Sequence, residues 1–442
     1  MLELSPHARL RLYTRGSDYV RVLFQMADGQ WRRGESVAEL EHRLSEHLGA
    51  QYALAMPMAR VGIYFAIRAL IKPGQKVIMS PYTIADVVNM VLCAGGVPVF
   101  ADIEAKTCNI SSAEVQRLID NDTGAVLVTH FYGCACDVES IIKICSHRNI
   151  PVIEDAAQAF GAAVGGKAVG TIGDVGIFSF GLYKHLTSFY GGLLVTKRKE
   201  IYSKVSDMLR PAPLMEAGFL LKKVLSGAIT DFITWPPVFA PLTSRIFRVG
   251  FLRDIDAINN RLRRDVNPKK QTELPRSYLC RMSPLQARLI AEKLGEVDAH
   301  IDWRISVAKQ YNEGLHDLSE ILLPPLRLDK SHIYWYYPIQ YLDRHELVKS
   351  AMRQGRDIAE SYHRNCADLL CFAEYYRDCP VARTVARSLI YLPTYPGYPR
   401  HEIERNIASI RRFLRPMKNA VAVSASSPRF GPFLPDTGQT RD

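Results

Sequence analysis

Val152-Ile153-Glu154-Asp155-Ala156-Ala157-Gln158 and, further on, Val175-Gly176-Ile177-Phe178-Ser179-Phe180-Gly181-Leu182-Tyr183-Lys184-His185 are the stretches from which the rest of the chain is read. Each opens on a short apolar run, the pattern of a strand buried on both faces. The first run ends on a carboxylate, Asp155, and the second is followed by an amine, Lys184. Ligands of open α/β sheets bind beyond the carboxyl ends of the strands, so both groups are expected on one rim. An amine able to form a Schiff base and a carboxylate able to hold a pyridinium nitrogen are the two groups pyridoxal phosphate asks of a protein. Lys184 then serves as tether and acid/base, and Asp155 keeps the ring nitrogen protonated. Ser179, on the strand before the lysine, is a donor for the cofactor phosphate, and Gln158, three residues past the aspartate, reaches toward the ring edge. Taken singly, Lys184 reads more readily as a solvated loop lysine and Asp155 as a cap for Ala156-Ala157-Gln158-Ala159, and it is their context that reverses the odds.

Working outward, residues 50–200 alternate strand-like and helix-like segments, the pattern of a parallel sheet covered by helices. Ala53–Met56, Lys76–Met79, Val97–Phe100, Ala125–Val128, Val152–Glu154, Gly176–Ser179 and Leu193–Thr196 are the strand candidates. Ala85–Leu92 and Ser112–Ile119 carry helical periodicity, the second with Ser111 or Ser112 as a cap. From 201 to about 276 the texture changes to prolines, apolar residues and two basic clusters, Arg261-Leu262-Arg263-Arg264 and Lys269-Lys270. Helical rhythm returns at Leu285–Leu294, and Tyr334-Trp335-Tyr336-Tyr337-Pro338-Ile339 reads as a strand whose aromatics belong to core and sheet surface. The expected organisation is a large domain with an N-terminal arm over 1–200, an insertion over 201–275, a smaller α+β domain over 276–415 and a flexible tail over 416–442.

The chain has 442 residues, too many for one hydrophobic core, and 48% hydrophobic with 23% charged residues is ordinary for a globular protein. Nine cysteines without a paired C-x-x-C framework argue for free thiols in a reducing compartment and against a metal site. The charged amino terminus does not resemble a secretory signal, and no apolar run is long enough to span a membrane. A cytoplasmic location is expected. The net charge of +11 would attract nucleic acid, an anionic membrane or phosphorylated substrates, but no nucleic-acid-binding spacing accompanies it.

A wider set of residues carries a resemblance. Glu154-Asp155-Ala156-Ala157-Gln158-Ala159-Phe160-Gly161-Ala162, Gly170-Thr171-Ile172-Gly173-Asp174-Val175-Gly176, Ser179-Phe180 with Lys184, and Gly191-Gly192 follow in the order seen in the DegT/StrS family of pyridoxal-phosphate sugar aminotransferases. Ser80-Pro81-Tyr82-Thr83, His130-Phe131-Tyr132-Gly133, Arg281-Met282-Ser283 with Leu285-Gln286-Ala287, and Leu392-Pro393 extend the likeness. The resemblance implies a fold-type-I aminotransferase working as a homodimer with active sites at the subunit interface. It implies glutamate as amino donor and a nucleotide- or lipid-linked keto-sugar as acceptor. Departures from the pattern concentrate at the rim of the site. Ala59-Arg60 replaces the usual Gly-Thr that cups the phosphate, so a guanidinium stands for a hydroxyl. Ile84 replaces an aromatic residue that stacks on the ring, Leu279 an asparagine offered by the partner subunit, and Tyr190 an acid. A relative that keeps the fold without efficient transamination, serving a regulatory or structural role, is the alternative these changes leave open.

Between Glu200 and Arg281 stand fourteen Lys/Arg against eight Asp/Glu, more than half of the chain's surplus positive charge. Phe219-Leu220-Leu221-Lys222-Lys223-Val224-Leu225 and the segments after it mix apolar and basic residues. Residues 217–250 therefore read either as an amphipathic surface for an anionic membrane or as helices packed on the subunit or across a dimer.

Overall fold

All seven strand candidates are strands. The computed structural model describes residues 5–255 and 267–421, with only the backbone for 415–421. The basic cluster Arg261–Arg264 and the expected tail beyond 421 lie outside the described residues. The seven strands are β1 (Tyr52–Met56), β2 (Lys76–Met79), β3 (Val97–Phe100), β4 (Thr123–Thr129), β5 (Val152–Asp155), β6 (Val175–Ser179) and β7 (Gly192–Thr196). They form one sheet in the order β1-β7-β6-β5-β4-β2-β3.

The pairs from β3 through β6 are parallel. Strand β7 departs from the all-parallel pattern, running antiparallel to both β1 and β6. It follows β6 through a loop that holds Lys184 and no helix, and a parallel return needs a crossover, usually helical. The sheet is thus mostly parallel, as expected, with its exception beside the candidate lysine.

Successive strand residues divide between the two faces, as the pleat requires. Leu54, Met56, Ala125 and Leu127 pack toward helices α3 (Ala59–Leu70) and α4 (Ala85–Cys93), while Val126 and Val128 face α5 (Ser112–Leu118) and α6 (Val138–Ser146). On this second side, further along the sheet, Ala53 and Ala55 meet α2 (Ser36–Leu48) and α10 (Pro284–Lys293). Ser111 stands at the N-cap of α5, yet its side chain makes no capping bond, so the cap read from the sequence is positional only. Ser283 does cap α10: its hydroxyl accepts from Gln286 N, and Gln286 Oε1 accepts from Ser283 N at 2.9 Å.

The smaller α+β unit holds a three-stranded antiparallel sheet, β8 (Tyr337–Gln340), β10 (Leu389–Leu392) and β9 (Ala359–Glu360) in that spatial order. Its core includes Tyr311 of α11 (Val297–Leu315), Leu347 of α12 (Arg344–Arg353) and Ile403 of α14 (Arg400–Val421). The backbone of α14 runs past 416, where the tail was expected to start. The strand-like 334–339 run forms a strand only from Tyr337. Ile333 N and Trp335 N bond instead to Gly133 O and Tyr132 O, at 2.9 and 2.8 Å, and Tyr334 between them takes a left-handed φ of +46°. Those residues are pulled out of the small sheet onto the rim of the large one.

Helix α7 (Lys199–Leu209) buries Ile201, Val205 and Leu209 in the same core as α3, so the 201–275 stretch begins inside the large domain's helical layer. Helices α8 (Ala217–Thr234) and α9 (Ser244–Leu252) follow. Leu220, Val224 and Gly227 of α8 turn inward against the loop between β6 and β7.

Candidate active site

Asp155 closes β5, paired across the sheet with Thr129 and Ile177, and only 6% of it is exposed. Its Oδ1 accepts from Ala157 N at 3.0 Å. Burial pushes the carboxyl up from the ordinary range, and the Ala157 N–H, the Lys184 charge and His130 pull back only part of that rise. The group is therefore poised to share a proton with a basic nitrogen.

Its neighbour Glu154 points to the other side of the strand and acts as a clamp. Glu154 is fully buried and accepts four bonds: from Gly170 N (2.8 Å), Ile172 N (2.8 Å), Gly173 N (2.6 Å) and the His130 ring (3.1 Å). Burial alone would raise this carboxyl. The His130 bond and the backbone N–H groups outweigh burial and hold it below its usual value. His130 Nδ1 accepts from Cys136 N at 3.0 Å, so Nε2 carries the hydrogen given to Glu154. The clamp fixes the turn ahead of β6. That turn lies so close to Gly176 of β6 that a Cβ there would stand 1.7 Å from Gly170 O, which no side chain permits.

Lys184 sits on the loop beyond β6, its backbone N–H bonded to Gly181 O at 2.9 Å. Its Nζ lies over the indole of Trp335, 3.9 Å from the ring centroid. An ammonium on an aromatic face is held by the ring quadrupole. The indole is itself fixed, because Trp335 Nε1 donates to Tyr183 O at 3.2 Å. The left-handed conformation of Tyr334, with the bonds that hold Ile333 and Trp335 to Gly133 and Tyr132, is what delivers this ring.

The remaining candidates are placed as follows. Ser179 ends β6 and accepts from Gly181 N at 3.4 Å. Gln158 Oε1 accepts from Tyr132 N at 2.8 Å, holding a residue whose own φ is +52°, a conformation that costs a non-glycine residue on the order of 1–3 kcal/mol. Ala59 opens α3 opposite the paired glycines. A Cβ on Gly192 would lie 2.6 Å from Ala59 N, so only glycine leaves this helix end open. The Arg60 guanidinium is bonded to Asp86 and, at 3.3 Å, to Tyr278 OH. Ile84 takes the N-cap position of α4, half-buried against the large core.

Two clusters escaped the sequence reading. Tyr82 OH, Tyr132 OH and Ser361 Oγ lie within 3.0 Å of one another, and His363 Nδ1 is 3.2 Å from Tyr132 OH, all buried. This joins the strand ends to the small domain. Below the loop, Arg304 is fully buried and donates to Tyr13 OH of the N-terminal arm, while its Nε and Nη1 have no hydrogen-bond partner among the described residues. Burial, with the nearby Arg304 charge, drives His185 well below the usual histidine range. None of these contacts has a local motif, because each joins residues at least fifty positions apart.

A mostly parallel sheet with a lysine and a carboxylate on one rim, and a helix N-terminus facing paired glycines, defines the class of fold-type-I pyridoxal-phosphate enzymes. Comparison with known proteins narrows it: the profile of the DegT/DnrJ/EryC1/StrS aminotransferase family matches residues 16–217 and 257–411, and the chain belongs to that family. GDP-perosamine synthase of Caulobacter vibrioides is 26% identical over 392 residues, 86% of this chain and 91% of the relative. An aminotransferase from Psychrobacter cryohalolentis superposes with a TM-score of 0.73 at 20% identity, covering 94% of this chain and all of the other. The E. coli GDP-4-keto-6-deoxy-D-mannose-3-dehydratase, solved with bound hydrated pyridoxal phosphate, reaches 0.71 at 16% identity, covering 92% and 100%. The gap in the profile, 218–256, spans helices α8 and α9.

Proposed function

We propose that this enzyme transfers an amino group from glutamate to a keto-sugar carried on a nucleotide or a lipid, with pyridoxal phosphate as cofactor and Lys184 and Asp155 as its catalytic pair. The observation that carries the reading is the placement of Asp155. A buried carboxyl with a raised proton affinity, one residue past a fully satisfied Glu154, suits a ring nitrogen that must stay protonated. When bound, the cofactor supplies an aldehyde for amine exchange and a ring that accepts the electron pair left on the substrate carbon.

The chain's own groups divide the remaining work. Lys184 Nζ, seated on the Trp335 face, takes the proton from the substrate carbon and returns it. The first-turn N–H groups of α3 at Ala59 and Arg60, with the Ser179 hydroxyl, suit a phosphate, since a helix N-terminus presents unpaired donors and a positive dipole end. The openness of that turn opposite Gly192 supports the fit. Gln158, which holds the Tyr132 turn, and Ile84, at the N-cap of α4, would help to hold the cofactor ring. The active sites belong to a homodimer in this reading, as the family resemblance implies.

One observation favours the second reading, a relative that keeps the fold without efficient turnover. Arg60, which stands where a small hydroxyl is usual, is committed to Asp86 and Tyr278. Spectroscopy separates the two. Purified enzyme given pyridoxal phosphate is expected to show a visible absorption band that glutamate shifts into the near ultraviolet. Borohydride should fix the cofactor to the peptide containing Lys184, and Lys184→Ala should abolish both signals. A band that glutamate never shifts would favour the second reading, and an adduct on another lysine would overturn the site.

A further inference from the structure

The outer face of α8 and α9 meets no partner among the described residues. Seven of the sixteen exposed large hydrophobic side chains among the described residues fall within 225–249, among them Leu225, Ile229, Phe232, Trp235, Ile246 and Val249. On α8, Lys222, Leu225, Ile229 and Phe232 recur at helical spacing along one stripe, and Ile246 and Val249 on α9 continue the same spacing from Leu242 in the turn before it to Arg253 at its end. Ile229 is 62% and Phe232 61% exposed, whereas Leu220 and Val224 on the opposite face are buried. Single exposed apolar residues are normal, but a row of them along consecutive helices marks a surface built for contact.

Charge says which contact. Residues 217–253 hold five Lys/Arg and one acid, Asp231. That acid is already engaged by Thr14 and Tyr19, the latter at 2.5 Å. Lys222, Arg245, Arg248 and Arg253 are exposed around the apolar rows. A two-fold contact between copies would set this patch against itself, cation facing cation, with the one acid of 217–253 already engaged. An anionic lipid surface supplies the missing sign, accepts Ile, Leu and Phe among its acyl chains, and suits an indole at the boundary and lysine stems that reach back to the headgroups. The geometry points to α8 and α9 as an interfacial docking face for anionic membranes.

The front of the same helix faces the catalytic loop. Phe219 packs edge-on against Tyr190 at 5.0 Å, Lys223 lies over the Tyr190 ring at 4.7 Å, and Gly227 sits against Leu182 and Phe189. Docking therefore places the loop holding Lys184 one helix thickness from the lipid. The inference rests on surface residues alone and stands apart from the catalytic assignment.

Vesicle flotation of the full-length enzyme tests it. Phosphatidylcholine vesicles containing phosphatidylglycerol should carry the protein at low salt, with partition falling as salt screens the charges. Vesicles of phosphatidylcholine alone should carry far less. Lys222→Gln/Arg245→Gln/Arg253→Gln should lower partition about a hundredfold, each cation near an anionic surface being worth about fivefold. Ile229→Ser/Phe232→Ser/Trp235→Ser should abolish flotation while circular dichroism and the cofactor band stay unchanged. In wild-type enzyme, brominated lipid should quench a tryptophan signal that Trp235→Phe removes. Absence of flotation on anionic vesicles, or flotation undiminished in either triple variant, overturns the proposal. So does a wild-type dimer that fails to bind vesicles and dissociates in the apolar triple variant, since that marks the face as a subunit interface.

Discussion

Replacing Glu154 with glutamine changes almost no volume and removes one oxygen, which makes it a sharp test of the clamp beneath the site. The carboxylate accepts Ile172 N and Gly173 N on Oε1, and Gly170 N and His130 Nε2 on Oε2. A glutamine oriented to keep the first pair turns its NH2 toward two donors. His130 cannot become an acceptor at Nε2 without giving up the bond its Nδ1 receives from Cys136 N. Two accepted bonds thus become donor–donor contacts in a site with no exposure. Hydrogen bonds to a charged group contribute about 1.5–3 kcal/mol each, so Glu154→Gln should cost about 3–6 kcal/mol. That is a large part of the total stability of an ordinary domain. Urea unfolding followed by tryptophan fluorescence reads it as a lower midpoint at unchanged slope.

The pH dependence supplies an independent check on the same clamp. The folded Glu154 carboxyl lies below its unfolded value, so its stabilisation is complete above about pH 4.3, the unfolded glutamate value, and fades as pH falls through the lower folded pKa. The gap between wild type and variant should therefore narrow on acidification. A loss under about 1 kcal/mol, or a gap that stays constant into acid, would refute the assignment of Glu154 as an ionised four-bond clamp.

Asp155→Asn should act in opposite directions on stability and turnover. The folded carboxyl is raised by burial, so above the unfolded pKa its ionised form costs stability, and that cost disappears as pH falls below it. The cofactor-free variant should be the more stable protein near neutrality, while turnover falls by about 10²–10⁴; equal stability at all pH values would contradict the raised carboxyl. Tyr13→Phe removes the hydroxyl that accepts from buried Arg304 and should destabilise the chain by about 1–3 kcal/mol, read in the same urea titration. An unchanged midpoint would mean that the arm does not satisfy that guanidinium.

The strands, most of the helix rhythm and the placement of Asp155 and Lys184 beyond the carboxyl ends of β5 and β6 were legible along the chain because each depends on local order. Period-two and period-3.6 patterns and residues at strand ends are written in neighbouring positions. The antiparallel course of β7 was not, since nothing in Gly192–Thr196 records the absence of a crossover helix before it. Nor could Tyr334-Trp335-Tyr336 be seen to leave its strand, because the partners of Ile333 N and Trp335 N, Gly133 O and Tyr132 O, lie two hundred positions away. Arg60 illustrates the same limit: its place at a helix start marked it for phosphate, and only the fold brings Asp86 and Tyr278 to claim its guanidinium. The amphipathic character of 217–250 was written in the sequence, while which of its sides meets the protein and which meets solvent was decided by where α8 packs. Chain order encodes what a segment is able to do, and burial against distant segments selects which of those abilities is used.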